Sequence, residues 1–241
     1  MRALRKSQYT STPGKTIPAG RLRRTRGGAA LDWLVVSAWA PELAELQDRL
    51  PELPLRVQPR LVLGTVGVGL VDAAIGAATL LTALSPRAVL FIGTAGVYPG
   101  SPRRLRVGSA AVARRIALLS ASTSADDAYF PDPMTRREIP ASRLGQAICK
   151  AARQPDADIA CPLAITATAK ASALAAKRSG CALENLEAFS VARAAASLNI
   201  PFAAVLGIAN HVGEEGHREW KRNAAAAAAA ACRAVAEYLG R

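Results

Sequence analysis

The sequence has little that would staple a fold or hold a metal. Its four cysteines, Cys149, Cys161, Cys181 and Cys232, are scattered, and none forms a C-x-x-C pair. No His stands at a zinc-finger spacing from them. Reduced thiols in a cytoplasmic protein are therefore expected, with no metal and no cofactor. No charge-free apolar run reaches the length of a membrane span. The nearest, Ala182 to Ile208, is broken by Glu184, Glu187 and Arg193. Acidic residues are missing altogether from positions 1–28, which hold eight basic ones and a single aromatic, Tyr9.

That last absence localises the charge. The net charge is +13, yet beyond residue 28 there are 23 basic against 18 acidic residues. Residues 1–28 read as a disordered, passive extension without the apolar stretch of a secretory signal. Lacking interleaved aromatics, they offer no stacking platform, so a nucleic-acid partner is not expected. The fold is expected to begin near Gly27-Gly28 and to form one large domain over 29–241.

What is present alternates. "LDWLVVSA" (31–38), "LVLGTVG" (61–67) and "RAVLFIGTAG" (87–96) read as strands, as do 107–118, 159–166, 181–184 and 201–208. Helices are expected over 41–50, 70–84, 141–153, 170–179, 187–198 and about 219–239, the last carrying the alanine run Ala224–Ala231. This predicts a three-layer α/β/α domain with a central mixed, largely parallel sheet. The irregular stretch 119–140 is long enough to be functional.

Ligands of such sheets bind at the carboxyl ends of strands. Four ends carry unusual chemistry. Glu42 follows the first strand, and Gly93-Thr94-Ala95-Gly96 follows the third as a glycine turn. Glu187 lies beyond "ALEN", and Asn210 and His211 lie beyond the 201–208 strand. A lone Glu at a helix start more often serves the helix dipole. A lone Asn more often caps a turn. The combination points to two carboxylates, a backbone cradle and an amide converging on a polar ligand.

The segments "FIGTAGVYPG" (91–100), "LENLEAF" (183–189) and "GIANHVGEEGHREW" (207–220) resemble the nucleoside phosphorylase and nucleosidase superfamily. The likeness spans about residues 31–240 and is nearest to the futalosine hydrolase branch, which serves an alternative menaquinone route. It implies hydrolysis of a purine nucleoside by a cytoplasmic homo-oligomer. Glu42 falls on the glutamate that activates water, and Asn210 on the residue that reads the purine near N7. Glu187, with Leu186 beside it, falls on the glutamate that binds the ribose hydroxyls. Thr94, Ala95 and Gly96 fall on the turn facing the sugar and nucleophile. Asn at position 210 goes with 6-oxopurines in this family, so futalosine, which carries hypoxanthine, fits. Glu184 stays outside the catalytic set, as a group serving the strand end or helix start. Phe91 occupies the place of a phosphate-binding Arg, which favours water over phosphate as acceptor. Phosphorolysis with contacts from Arg103, Arg104 or Arg106, or a non-catalytic nucleoside-binding homologue, are the alternatives. Tyr98, Tyr129 and Phe130 are the aromatics available to stack on a base.

Overall fold

A computed structural model describes residues 31–134, 137–140 and 142–241. The expected extension at 1–28 lies outside the described residues. Eight strands form one mixed sheet: β1 (Trp33–Ser37), β2 (Leu61–Thr65), β3 (Ala88–Val97), β4 (Ala110–Leu119), β5 (Glu138–Ile139), β6 (Asp156–Pro162), β7 (Leu183–Glu184) and β8 (Phe202–His211). Parallel pairing joins β1 to β2 and β3, β3 to β8, β4 to β6, and β6 to β7. Antiparallel pairing joins β3 to β7, β4 to β5, and β4 to β8. Strands β3, β8, β4, β6 and β7 thus close on themselves, with β1 and β2 continuing outward from β3. Closure is made by the tip of β3, where Gly96 faces Glu184 and Val97 faces Leu183.

Strand parity builds the three layers. Leu34, Val36, Val89 and Phe91 pack with α2 (Leu70–Leu84) and α6 (Ala188–Ser197). Val35, Leu90 and Ile92, one residue out of phase, pack with α1 (Ala44–Arg49), α4 (Arg143–Ala152) and α7 (Gly216–Leu239). The alanine run has a geometric cause. A Cβ on Gly207 of β8 would lie 1.9 Å from the carbonyl oxygen of Ala227, so α7 rests directly on the strand. Ala227, Ala228 and Ala231 are buried there. Small residues on both sides permit that approach.

Three expectations need correction. The helix expected over 41–50 is broken into a 3₁₀ turn at Ala40–Leu43, the short α1 and a second 3₁₀ turn at Leu50–Glu52. Pro41 and Pro51 occupy the starts of the two turns, and the first turn carries Glu42 into the interior. The glycine turn expected at 93–96 is strand: β3 runs on to Val97. Its glycines answer packing. A Cβ at Gly96 would sit 2.7 Å from Val212 and 2.9 Å from the Asn210 amide. Finally, the irregular stretch 119–140 contains α3 (Ala121–Ser124) and β5, and Asp126 within it pairs with Arg178 of α5 (Ala169–Ser179).

Candidate active site

Parity along β3 places Thr94 on the α1/α7 side, with Leu90 and Ile92. Its backbone N–H donates to Oε1 of Glu42 at 3.0 Å, and its hydroxyl reaches the same oxygen at 3.1 Å. Oε2 of Glu42 is buried and has no hydrogen-bond partner among the described residues. Burial raises the Glu42 pKa from 4.5 to about 7, with the Glu187 carboxylate adding to the rise and the Thr94 donors opposing it.

The carbonyl side of Thr94 leads to the second carboxylate. Asn185 donates from Nδ2 to the Thr94 oxygen at 3.0 Å and to Oε2 of Glu187 at 3.0 Å. Its Oδ1 accepts from the N–H groups of Glu187 and Ala188 at 3.0 and 2.7 Å, which starts α6. Both N–H groups and both oxygen lone pairs of this buried amide are used. Oε1 of Glu187 accepts from the Gly69 N–H at 2.9 Å. Gly69, at φ 86°, precedes α2, so the positive end of that helix also faces the carboxylate. Burial still raises the Glu187 pKa against the Gly69 and Asn185 donors. Each Glu187 oxygen keeps a lone pair for one more donor.

Glu42, Thr94 and Glu187 therefore meet, as expected. Ala95 and Gly96 continue β3 beside them, both buried, and Leu186 is half-buried next to Glu187. Asn210 pairs in register with Gly96, across a bulge that skips Ala209. Its Nδ2 donates to the His211 carbonyl at 2.8 Å, and among the described residues nothing claims its other N–H or the amide oxygen. His211 is exposed and tied to Glu219 of α7 through its backbone N–H and ring. Glu184 accepts from the Tyr98 hydroxyl, the Thr166 N–H and the Thr166 hydroxyl, so it anchors the strand end. That buries Tyr98, with 2% of its surface exposed, and removes it as a base-stacking residue. Tyr129 is 86% exposed. Phe130 lies under Arg137.

Three members of the cluster escaped the sequence reading. Asn185 had a local signal, an amide two residues before a glutamate at a helix start. Gly69 had a weaker one, a glycine just before a helix. Trp220 closes the segment 207–220 that carries the resemblance, but no role at the site was read for it. Its indole Nε1 donates to the Thr94 hydroxyl at 3.0 Å.

Phe91 is fully buried on the α2/α6 face. Among the described residues, no cation forms an ion pair with Glu42 or Glu187. Arg104 instead approaches Asp156, at the start of β6. Two surface clefts, of about 510 and 290 Å³, lie around α4 and β4 and contain none of the clustered groups.

Residues 55–240 match the family model described as the Phosphorylase superfamily. The chain belongs to the phosphorylase superfamily. Glu42 precedes the matched segment, so its position within this phosphorylase-superfamily fold is defined by geometry. No curated protein matches the chain. Among solved structures it is similar to the 5′-methylthioadenosine/S-adenosylhomocysteine nucleosidase of Neisseria meningitidis in complex with methylthio-immucillin-A. The TM-score is 0.75 at 19% identity, covering 87% of this chain and 99% of that one. It is also similar to the futalosine hydrolase of Helicobacter pylori, with TM-score 0.75 and 16% identity over 86% of this chain and 97% of that one. The corresponding nucleosidase of Colwellia psychrerythraea 34H, in complex with adenine, gives 0.74 and 18% over 88% and 96%. At these identities the likeness is one of fold.

No helix among the described residues is long and apolar enough to cross a membrane.

Proposed function

We propose that this protein hydrolyses the N-glycosidic bond of a purine nucleoside, with water as the acceptor. One observation carries the reading. A buried carboxylate with a pKa near 7 shares a cluster with a second buried carboxylate, and among the described residues one of its oxygens is free and no cation is paired with either. A phosphate dianion beside this pair would meet charge repulsion without compensation. Water has no such obstacle, and Glu42 is suited to deprotonate it near neutral pH.

We infer the bond changes from the roles that the family resemblance implies, which the geometry supports. Glu187 accepts from the ribose 2′- and 3′-hydroxyls on its remaining lone pairs. Its negative charge favours the oxocarbenium-like state as the C1′–N9 bond stretches. The water oxygen bonds to C1′ while Oε2 of Glu42 takes its proton. The N9 electron pair leaves with the purine, which is protonated or hydrogen-bonded at N7. The products are free base and free sugar. Chromatography of reactions on futalosine, inosine and methylthioadenosine tests this, since base must appear equally with and without phosphate. Release only in the presence of phosphate would establish phosphorolysis instead.

The finer reading is a 6-oxopurine nucleoside such as futalosine, releasing hypoxanthine, with Asn210 reading the base. The bond from Nδ2 to the His211 carbonyl opposes flipping of the amide. One N–H then remains for O6 and the oxygen for a protonated N7. A 6-amino group would set donor against donor, costing ~1–3 kcal/mol. Asn210→Asp should therefore shift the ratio of kcat/KM for hypoxanthine over adenine nucleosides of one sugar by about tenfold or more toward adenine. An unchanged ratio leaves Asn210 as a turn cap.

We further propose a homo-oligomer, at least a dimer. The small-residue faces of α6 and α7 are spent inside the molecule on the sheet. The exposed apolar surface lies instead at the start of α2, where Val68, Val71 and Ile75 are each more than 60% exposed. Val71 and Ile75, four apart, share one face of α2, and Val68 lies in the bend just before Gly69. Light scattering at micromolar concentration should report a dimer or larger, and Val71→Glu with Ile75→Glu should yield a monomer. A wild-type monomer would contradict the proposal.

A further inference from the structure

We propose that Trp220 is a positioning residue for the general base. Its indole N–H directs the single proton of the Thr94 hydroxyl onto Oε1 of Glu42, so that Oε2 alone receives the proton of water. The inference rests on the hydrolytic reading above for its chemistry, and on hydrogen-bond geometry for the relay itself.

A threonine hydroxyl has one proton and two lone pairs, whereas an indole N–H only donates. The Thr94 oxygen lies 3.0 Å from Trp220 Nε1 and 3.1 Å from Oε1 of Glu42. It must accept from the indole, which leaves its own proton for Glu42. Oε1 also receives the Thr94 backbone N–H at 3.0 Å. With two donors aimed at it, Oε1 has no room for a proton of its own. Oε2 has no partner among the described residues, although Glu42 is nine-tenths buried. The two oxygens of one carboxylate are thereby sorted into a saturated one and a basic one. Donation from the indole also polarises the Thr94 hydroxyl and strengthens its bond to the carboxylate.

Other groups act on Glu42 from the elements around it. Glu187, at the start of α6, opposes its ionisation. From α7, the Cys232 thiol donates to the Glu42 backbone carbonyl at 3.1 Å. His217 stacks on Trp220 at 6.1 Å between ring centroids, and Trp39 packs on the same indole at 6.2 Å. A phenyl ring at position 220 would keep these stacking partners and lose only the N–H. Thr94 would then be free to turn its hydroxyl away from Glu42.

The test compares Trp220→Phe, Thr94→Val and the double variant with the wild type. The first readout is the Glu42 carboxyl titration, followed by ¹³C NMR in the substrate-free protein and assigned with Glu42→Gln. The second is the pH profile of kcat/KM on whichever purine nucleoside the wild type cleaves. Loss of one donor to the anion should move both the titration and the acid limb upward by about half a pH unit in Trp220→Phe. Below that limb kcat should fall about threefold with KM nearly constant. In the Thr94→Val background the same change at 220 should add less than about twofold, because the relay is already cut. An unmoved titration in Trp220→Phe overturns the proposal, as does an equal effect with and without the Thr94 hydroxyl. Should the wild type cleave no nucleoside while Trp220→Phe still moves the Glu42 titration, the relay stands and the hydrolytic reading falls.

Discussion

Replacing Glu42 by Gln lowers kcat by ~10²–10⁴-fold and leaves KM within a few-fold of the wild type. The amide keeps the shape of the side chain and can still accept the two Thr94 donors on its oxygen. It cannot take a proton from water. The ribose contacts of Glu187 and the base contacts of Asn210 are separate from it, so binding survives. The wild-type kcat/KM should rise with pH through about 7, where Glu42 ionises, and the residual rate of the variant should lack that limb.

The same substitution has a stability signature of predictable sign. The folded protein holds the Glu42 proton up to about pH 7, whereas the unfolded chain releases it near 4.5. Between those values the folded state binds more protons, so stability falls as pH rises. The contribution is fully present below the unfolded value and is lost as pH passes the folded one. Moving a buried carboxyl that far corresponds to an upper bound of ~3 kcal/mol. Glu42→Gln should therefore gain thermal stability over the wild type at pH 8 compared with pH 4.5. An equal difference at both pH values would mean that Glu42 ionises normally in the fold.

Asn185→Ala should be the most damaging change that leaves both carboxylates in place. The side chain is 5% exposed and holds four hydrogen bonds. Truncation strands the Thr94 carbonyl and the N–H groups of Glu187 and Ala188, at roughly 1–3 kcal/mol for each group left unpaired. A total on the order of 3 kcal/mol would lower Tm by roughly 10 °C in a chain of this size. Glu187 would also lose the donor that fixes its Oε2, so nucleoside binding should weaken at temperatures where the variant remains folded. Asn185→Asp separates the two roles. It retains the acceptor that starts α6 and sets a second carboxylate against Glu187, so it should fold better than the alanine variant at low pH and bind nucleoside poorly at neutral pH. Calorimetry and substrate titration measure the two effects. A Tm within 2 °C of wild type for Asn185→Ala would contradict the assignment.

The layers of this fold were legible because their causes are local. The short, nearly continuous apolar runs in 31–38 and 87–92, and the small-residue pattern of 70–84, read directly as β1, β3 and α2. Glu42 and Glu187 were legible from their places after strands, and Thr94 from its flanking glycines, although it lies within β3. The break in 41–50 was not read, although Pro41 and Pro51 mark it, and Glu42's partner Thr94 lies 52 residues away. The glycines of 93–96 read as a turn, yet Gly96 serves the close passage of Val212 and Asn210 past β3, and Gly93 packs against the Phe91 ring. Gly69 and Trp220 were least legible. Their bonds span 118 and 126 residues, and only the closed sheet brings them to Glu187 and Thr94.

The central claim is that Glu42 delivers water to the anomeric carbon of a purine nucleoside. Its most direct test is cleavage of futalosine or inosine in phosphate-free H₂¹⁸O, with mass analysis of the sugar formed. The account predicts free base and a sugar carrying one ¹⁸O at C1′, with the rate collapsing in Glu42→Gln. No base released from any purine nucleoside, or a sugar 1-phosphate formed only when phosphate is supplied, would contradict it.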